Sequence, residues 1–356
     1  MTKNISYHSY LQLDKVLTAQ APYSHLTPHP VHDEMLFITV HQVYELWFKQ
    51  ILHEIDSILE IFVRQTVSDT DIYRIVSRLQ RITKIQHLMI AQVKILETMT
   101  PMDFLEFRDL LGQASGLQSY QFRLLELKLG IPGDTSKIPF FDMLEPPIQQ
   151  SLSNAVEQPS LLSLVEKWLE RTPFLQTDNF SFWGSYREAI KTMLNEDKQR
   201  ILDESALTSI DMQKRMQQHE QIETQFEALF DDNIYNELIN SGERRISRLA
   251  TSAALLIFLY RDQPIFQLPF MLLSTLVDID ELLTDWRQAH ISMVNRMIGQ
   301  RSGTGGTSGQ KYLAHAAQSR KVFNDLTNLA SFLVKGAILP PLPESVKRKL
   351  GFHHAA

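Results

Sequence analysis

The chain has 356 residues, of which 44% are hydrophobic and 21% charged, as in a soluble globular protein with a buried core. Its formal net charge of −6 at pH 7 leaves no basic excess to neutralise phosphates, which argues against a nucleic-acid-binding protein. The absence of cysteine excludes disulfides, thiolate metal ligands and iron–sulfur clusters, and it fits a reducing compartment.

The sequence has no feature of a secreted or membrane protein. Residues 1–10 lack the basic and then apolar pattern of a signal peptide. Of the two longest uncharged apolar runs, 249–260 is too short to span a bilayer and 263–277 is interrupted by two prolines. We therefore predict a cytoplasmic protein that does not associate with membranes.

The first 30 residues differ in character from the rest of the chain. Tyr7 and Tyr10 stand in an otherwise polar terminus, and three prolines follow before residue 31. This composition is typical of a segment that docks onto another surface. We predict a docking arm over residues 1–30 and a single domain over residues 31–356.

Two long helices are predicted next, over about 33–64 and about 69–98, because their apolar residues recur at helical spacing. The short link between them favours an antiparallel pair. The first helix is apolar on nearly every side, with Phe37, His41 and Tyr44 on one face, so we expect it to be buried. A buried histidine either bonds to a neighbour, such as a backbone carbonyl, or faces a cavity. The helix alone leaves both roles open for His41.

The remaining sequence also predicts helices and loops. Thr100-Pro101 is a good helix start, and Gly130 closes a helix over 117–129. The other predicted segments are short helices at about 148–157 and 160–171, an aromatic loop at 178–184, a polar helical insertion at about 185–235, helices at about 243–261 and 271–300, a glycine-rich loop at 301–309 and a last helix at about 312–334. Alternating strand patterns and internal repeats are not evident in the sequence, so the predicted class is all-α.

The glycine-rich loop does not match a nucleotide-binding motif. Gly309 is followed by Gln310 instead of lysine, and a helix, not a strand, precedes the loop. A flexible linker is an alternative, but linkers seldom join two core-like helices. A backbone that approaches a small polar ligand closely, with Thr304 offering a hydroxyl, is the interpretation that remains.

His290 lies near the middle of an amphipathic helix, one turn after Trp286. A second histidine or a glutamate at metal-ligand spacing does not accompany it, so a zinc or carboxylate-bridged site is poorly supported. A structural role and the axial ligation of a haem iron remain the two interpretations.

Arg108 is flanked by Phe104, Phe107 and Leu111 in the sequence. A guanidinium among aromatic side chains needs a carboxylate, since burying it unpaired is costly. That carboxylate belongs either to an internal aspartate or glutamate or to a ligand, which would use the same fork geometry.

Several long motifs of the chain resemble the tryptophan 2,3-dioxygenase family, and the resemblance covers most of the sequence. The motifs are YxxYLQLD at 7–14, HDEMLFI at 32–38, HQxYELWFKQ at 41–50, LETMTP at 96–101, FR at 107–108, SGxQS at 115–119, WLERTP at 168–173, SGERR at 241–245 and the glycine-rich loop.

The resemblance implies a haem b enzyme, with one haem per subunit, that inserts both atoms of O2 across the indole C2–C3 bond of L-tryptophan. The product would be N-formylkynurenine, the first intermediate of tryptophan degradation by the kynurenine route. The resemblance also implies a homotetramer of helical subunits built around a haem pocket.

The resemblance assigns roles residue by residue. His290 would ligate the iron on the proximal side, and His41 would bond the indole N–H on the distal side. The expected substrate contacts come from Phe37 and Phe104 to the indole, from Arg108 and Thr304 to the amino-acid group, and from Tyr7 and Tyr10 of a neighbouring subunit's arm. Ser115, Trp286 and Gly303 are expected to contact the cofactor.

The sequence departs from the family pattern near the pocket. Leu117 and Tyr120 stand where phenylalanine and leucine are expected, and Gln288-Ala289 before His290 is less typical. None of these changes removes an expected ligand. Two alternatives are a related haem oxygenase that acts on a substituted tryptophan or indole in a biosynthetic pathway, and a haem-sensing protein without turnover.

Overall fold

The computed structural model describes residues 5–134, 138, 140–173, 175–177, 180–204, 208–299, 301 and 321–350. Most of these residues are helical, which confirms the all-α prediction. The α-helices are α1 (Tyr7–Leu11), α2 (Leu13–Val16), α3 (Asp33–Phe62), α4 (Asp69–Leu96), α5 (Pro101–Arg108), α6 (Tyr120–Leu129), α7 (Pro146–Glu157), α8 (Leu161–Glu170), α9 (Phe182–Asp203), α10 (Ser209–Phe230), α11 (Asp232–Ser241), α12 (Arg248–Leu259), α13 (Pro264–Ile298), α14 (Asn324–Asn328) and α15 (Glu344–Leu350).

Short 3₁₀ turns and one minimal hairpin complete the secondary structure of the described residues. The strands β1 (Gln176–Thr177) and β2 (Phe180–Ser181) pair antiparallel and are two residues long. The 3₁₀ turns are Tyr23–Leu26, Asp109–Leu111, Gly116–Gln118, Phe141–Met143 and Leu329–Phe332.

The chain divides into two compact units. The first unit consists of Met1–Asp56, Arg81–Gln158 and Ile279–Lys321, and the second consists of Ser57–Gln80, Pro159–Asp278 and Val322–Ala356. The predicted pocket residues that the structure describes fall in the first unit. The prediction of a single domain over residues 31–356 stays a prediction.

Within the first unit, α3 and α4 run antiparallel, as the short link between them predicts. Gln92 donates a side-chain hydrogen bond to the Val40 carbonyl at 2.9 Å, and Tyr44 donates one to the Met89 carbonyl at 2.8 Å. The Arg81–Glu54 ion pair lies further along, at 2.7 Å. Because the α4 numbers fall as the α3 numbers rise, the helices point in opposite directions.

The last part of α13 and the whole of α6 complete this bundle. Gln86 of α4 donates a buried hydrogen bond to the Ile279 carbonyl at 3.1 Å. Arg287 of α13 pairs with the buried Glu126 of α6 at 3.1 Å. Each of these contacts pairs a buried donor with an acceptor inside the bundle. The pairs therefore fix which helix faces meet.

The second unit contains the polar segment that was predicted as a helical insertion. Its helices α9 and α10 form a hairpin, in which the ring of His219 bonds through Nε2 to the Leu194 carbonyl at 2.8 Å. Phe182, Tyr186 and Ile190 recur at helical spacing along α9 and are fully buried. The hairpin is therefore polar on one face only.

Two sequence predictions in this unit are wrong in their boundaries. The aromatic segment 178–184 is not a loop throughout, because β2 and the start of α9 fall inside it. The Ser181 side chain accepts the Gly184 N–H at 3.2 Å and so caps the helix there. Similarly, α12 begins at Arg248 and not near residue 243, because Ser247 caps it.

Proline was expected to delay the start of α13, but the helix begins at Pro264 and includes Pro269. Proline is well tolerated at the first position, where its missing N–H has no acceptor, and Pro269 lies early enough for the helix to continue with one hydrogen bond fewer. The predicted helix at 312–334 falls largely outside the described residues. Over 321–334 it is replaced by α14 and a 3₁₀ turn.

The described part of the arm is attached to the first unit at its C-terminal end. The buried Glu34 carboxylate accepts the backbone N–H groups of Tyr23 and Ser24, both at 2.8 Å, and Gln42 donates to the Ala19 carbonyl at 3.0 Å. In contrast, α1 and α2 contain no buried residue. The arm is thus anchored at one end and exposed along its apolar face.

Among the residues that the structure describes, no helix combines the length and the hydropathy that a bilayer crossing requires.

Candidate functional site

His41 is held in one tautomer by its own helix. Its Nδ1 lies 2.7 Å from the Phe37 carbonyl oxygen. A carbonyl can only accept, so Nδ1 carries the proton and Nε2 is left with a lone pair. The bond to a backbone carbonyl, which the structural interpretation of His41 required, is therefore present. It uses one nitrogen and leaves the other as an acceptor.

Both candidate histidines are held neutral. Burial lowers the pKa of His41, against the opposing effects of the Phe37 carbonyl and the Glu45 charge. Burial lowers the pKa of His290 to about 4, and the charge that His41 would carry when protonated adds to this effect. The two imidazoles therefore lie within range of an electrostatic interaction, although they belong to α3 and α13.

A cluster of aromatic rings lies beside His41. The Phe37 ring lies 4.1 Å from the His41 ring, centroid to centroid, and 5.8 Å from the ring of Phe104. Phe107 completes this group, 5.5 Å from Phe37 and 5.4 Å from Phe104. Since α5 follows α4 closely, its phenylalanines reach the same region as α3. The rings together offer an apolar, stacking surface for a planar ligand.

The buried cluster beside these rings belongs to the four helices α3, α4, α5 and α13 and to the link after α4. It consists of Val40, Val93, Leu96, Met99, Phe107, Met293 and Met297. Phe37, Phe104 and Trp286 pack against it. The cluster thus brings together residues of α3, α5 and α13. Those of α3 and α13 lie more than 240 positions apart in the sequence.

Arg108 and Ser115 lie on segments next to this group. Arg108 is half-buried, one turn after Phe104 on α5. The Ser115 side chain caps the 3₁₀ turn Gly116–Gln118 by accepting the Leu117 N–H at 3.3 Å. The cap organises the backbone of the SGxQS motif, a local role that the sequence analysis did not assign.

A hydrogen-bonded clamp joins α6, which directly follows this motif, to the His41 helix. Gln121 donates to the Glu45 backbone carbonyl at 2.9 Å and to the Glu45 carboxylate at 2.8 Å. Glu45 lies one turn after His41, and its charge acts on that imidazole. The Glu45–Gln121 contact was not predicted, because side chains 76 positions apart show no signal in a single sequence.

Trp286 is enclosed by aromatic residues that sequence reasoning left without a role. Its ring lies 5.9 Å from Tyr44, 6.1 Å from Phe48 and 5.2 Å from Phe122. It also stacks on His290 at 5.8 Å with an interplanar angle of 19°. Tyr44 and Phe48 were placed on the His41 face by helical spacing, which was the available signal.

Two predicted site residues, Tyr7 and Tyr10, are not part of this group, and two others fall outside the described part of the chain. Tyr7 and Tyr10 on α1 are 76% and 74% exposed. Gly303 and Thr304 lie outside the described residues, so their predicted roles stay predictions.

The donor set of the pocket fits a haem held by one histidine. A metal-ligating nitrogen must be unprotonated, and His290 is kept neutral by burial. A large flat cofactor also requires apolar and aromatic walls, which Phe37, Phe104 and Trp286 supply.

Comparison with known proteins gives a consistent result. A family profile described as tryptophan 2,3-dioxygenase matches residues 1–333. The tryptophan 2,3-dioxygenase of Bdellovibrio bacteriovorus is 48% identical over 354 residues, covering 98% of this chain and 99% of that protein. The Alteromonas mediterranea protein of the same name is 44% identical over 360 residues, covering 99% of each. Tryptophan 2,3-dioxygenase B of Danio rerio is 45% identical over 351 residues, covering 97% of this chain and 86% of its own.

The fold and the site define an all-α protein with a pair of buried, neutral imidazoles beside a cluster of aromatic side chains. The matches extend over nearly the whole chain and include bacterial and animal proteins of one name. The chain belongs to the tryptophan 2,3-dioxygenase family, which consists of haem-dependent oxidoreductases. The alternative of a biosynthetic haem oxygenase for substituted indoles is not favoured by these matches.

The lowered histidine pKa values predict acid sensitivity of the haem-free protein. As the pH falls from 6.5 to about 4, His41 and His290 bind protons in the unfolded chain but stay unprotonated in the folded chain. The free energy of unfolding should therefore decrease across this window, by on the order of 3 kcal/mol for His290 alone. Urea denaturation at a series of pH values measures this decrease.

Two variants separate this effect from general acid denaturation. His290→Gln removes the titrating group and should flatten the decrease, whatever its stability at neutral pH. His53→Gln, at an exposed position on α3, should leave the profile unchanged. An unaltered slope in the His290 variant would contradict the assignment.

Proposed function

We propose that this chain oxidises L-tryptophan with O2 to N-formylkynurenine, using the paired histidines of α3 and α13. Both oxygen atoms enter the product and the indole C2–C3 bond breaks, so the reaction balances without a further reductant. The proposal rests on one observation above all. Two buried, neutral imidazoles from helices distant in sequence interact electrostatically beside a cluster of aromatic rings, within a chain of this family.

His290 is the residue that would hold the cofactor, which we propose to be haem b, one per subunit. The haem, when bound, supplies the iron that reacts with O2. The protein contributes an imidazole that is already neutral, so no proton has to leave before ligation. Trp286 stacks on that imidazole, and Ser115 and Gly303 are proposed as further cofactor contacts.

His41 would orient the substrate by accepting the indole N–H at Nε2. The Phe37 carbonyl holds the proton on Nδ1, so Nε2 meets a donor without a change of tautomer. The lowered pKa makes this imidazole a weak proton acceptor. A positioning hydrogen bond is therefore better supported than obligatory general-base catalysis.

The remaining substrate contacts divide between the two ends of tryptophan. Phe37 and Phe104 would pack on the indole and exclude water. Arg108, one turn after Phe104, would bind the carboxylate in fork geometry, with Thr304 on the amino-acid group.

The arm supports a homotetramer in which subunits complete each other's pockets. Tyr7 and Tyr10 lie three positions apart on α1 and are both highly exposed, although aromatic side chains usually find a partner surface. We propose that they close the substrate pocket of a neighbouring subunit. The cysteine-free composition fits assembly in the cytoplasm.

The ligand assignment predicts the behaviour of His290→Ala. This variant should lose the absorption spectrum of a histidine-ligated haem and should lose activity, and added imidazole should restore the spectrum in part. His41→Ala is the matched control on the opposite side of the pocket. It should keep the haem spectrum and react more slowly. A haem spectrum unchanged in His290→Ala would refute the ligand assignment.

The main activity is tested on the unaltered protein. Reduced, haem-loaded protein with tryptophan and O2 should produce N-formylkynurenine, detected by its absorbance and by its mass with both atoms of labelled O2. Failure to form this product would refute the proposed function.

If Arg108 binds the substrate carboxylate, the Arg108→Leu variant should no longer distinguish substrates with a carboxylate from those without one. The parent protein should prefer tryptophan over tryptamine, which lacks the carboxylate, by on the order of 100-fold in kcat/KM, equivalent to ~3 kcal/mol. The variant should treat both compounds almost alike, because the group that distinguishes them is gone.

Arg296→Leu is the control, since this arginine lies on α13 with a largely exposed side chain. It should preserve the preference for tryptophan. If Arg108→Leu also preserved the preference, the substrate carboxylate would be bound elsewhere.

The arm predicts complementation between two inactive proteins. One carries Tyr7→Ala and Tyr10→Ala, and the other carries His290→Ala with an intact arm. Each alone should have low activity with tryptophan. Co-expressed mixed tetramers should recover activity, because the intact arm of one subunit reaches the intact pocket of the other. Mixed tetramers without recovered activity would indicate that the arm acts within its own subunit.

A further inference from the structure

The orientation of the His290 ring is coupled to that of Trp286. The two residues are one turn apart on α13, and their rings are nearly parallel, with centroids 5.8 Å apart. The two rings face each other within one helix turn, so the indole bounds the space in which the imidazole can turn. Whatever fixes the indole of Trp286 therefore also limits the rotation of the imidazole.

Packing contacts alone do not give the Trp286 N–H a hydrogen-bond acceptor. Phe48 and Phe122 contact its ring through apolar surfaces that offer no hydrogen-bond acceptor. The Trp286 Nε1 atom is buried and meets no acceptor at full hydrogen-bond geometry. A buried indole N–H normally has a partner, so this atom indicates where a further interaction forms.

The Tyr44 hydroxyl is the neighbouring group with acceptor capacity. It donates its own proton to the Met89 carbonyl at 2.8 Å, which leaves the oxygen lone pairs available. Burial raises the pKa of Tyr44 to about 12, and the nearby Trp286 N–H opposes that rise. The phenol is therefore neutral, fixed at one end, and directed towards Trp286.

We propose that Tyr44 is a positioning residue for the His290 imidazole. It accepts the Trp286 N–H, and the chain Trp286 to Tyr44 to the Met89 carbonyl sets the plane of the indole against which the imidazole stacks. The importance of this chain for the enzyme rests on the proposed ligation of iron by His290.

The arrangement connects the two sides of the pocket through one helix. Tyr44 follows His41 by three residues on α3, so a single rigid element carries the proposed substrate contact and the group that orients the proposed ligand. Met89 anchors that element to α4. A change at Tyr44 should thus alter the geometry of the ligand without touching the substrate.

The hydrogen bond is tested directly on the indole N–H groups. The four tryptophans give four indole resonances in the 15N-labelled, haem-free protein, and Trp286→Phe identifies one of them. Tyr44→Phe keeps the ring and removes only the hydroxyl. It should shift the Trp286 resonance upfield and speed its exchange with solvent, and it should leave the other three in place.

Tyr73→Phe is the matched control, since Tyr73 is 62% exposed on α4. It should move none of the four resonances. If Tyr44→Phe fails to fold, the unaltered sequence grown with 3-fluorotyrosine gives the same test, because fluorination weakens the acceptor and preserves the shape. A Trp286 resonance that does not respond to either change overturns the proposal.

The effect of Tyr44 on the orientation of His290, the proposed iron ligand, is measured in the haem-loaded protein. Tyr44→Phe should bind haem in the parent stoichiometry, and its ferric electron paramagnetic resonance spectrum should broaden, because the imidazole plane is less uniquely fixed. A spectrum identical to that of the parent overturns the positioning role. This failure differs from failure of the proposed ligation, in which His290→Ala would keep the ligated haem spectrum, and from failure of the proposed function, in which the parent protein would form no N-formylkynurenine.

Discussion

The burial of two imidazoles in one aromatic pocket is the constraint on which the site depends. Removal from water keeps His41 and His290 neutral, and a charge on His41 would further disfavour a charge on His290. Neutrality provides the lone pairs that a metal and an indole N–H require. The same environment strengthens any hydrogen bond formed inside it, so few polar groups are needed for orientation.

Long helices make this burial possible at fixed geometry. Side chains of α4 bond to backbone carbonyls of α3 and α13, and α3 bonds back to α4 through Tyr44. Each contact satisfies a polar group inside the bundle and fixes how the helices are rotated against each other. The chemistry-bearing residues therefore lie on rigid elements, and the Glu45–Gln121 clamp fastens α6, which follows the Ser115 turn, to α3.

Sequence reasoning was accurate where the signal is local. Helical periodicity predicted α3 and α4, and the short link between them predicted their antiparallel packing. The errors also have local causes. Capping by Ser181 and Ser247 determined where α9 and α12 begin, and Pro269 was tolerated inside α13 because it stands near the helix start. Such details depend on single side-chain contacts that periodicity does not report.

The sequence by itself determined the helical fold and the face on which Phe37, His41 and Tyr44 lie, because residues three and four positions apart share a helix face whatever surrounds them. Its motifs also identified the family. Only the tertiary structure decided that both imidazoles are neutral, that Trp286 is enclosed by rings from α3 and α6, and that Tyr44 lies beside the indole N–H. These properties arise from burial and from neighbours distant in sequence, and neither is encoded in the spacing of residues along one helix.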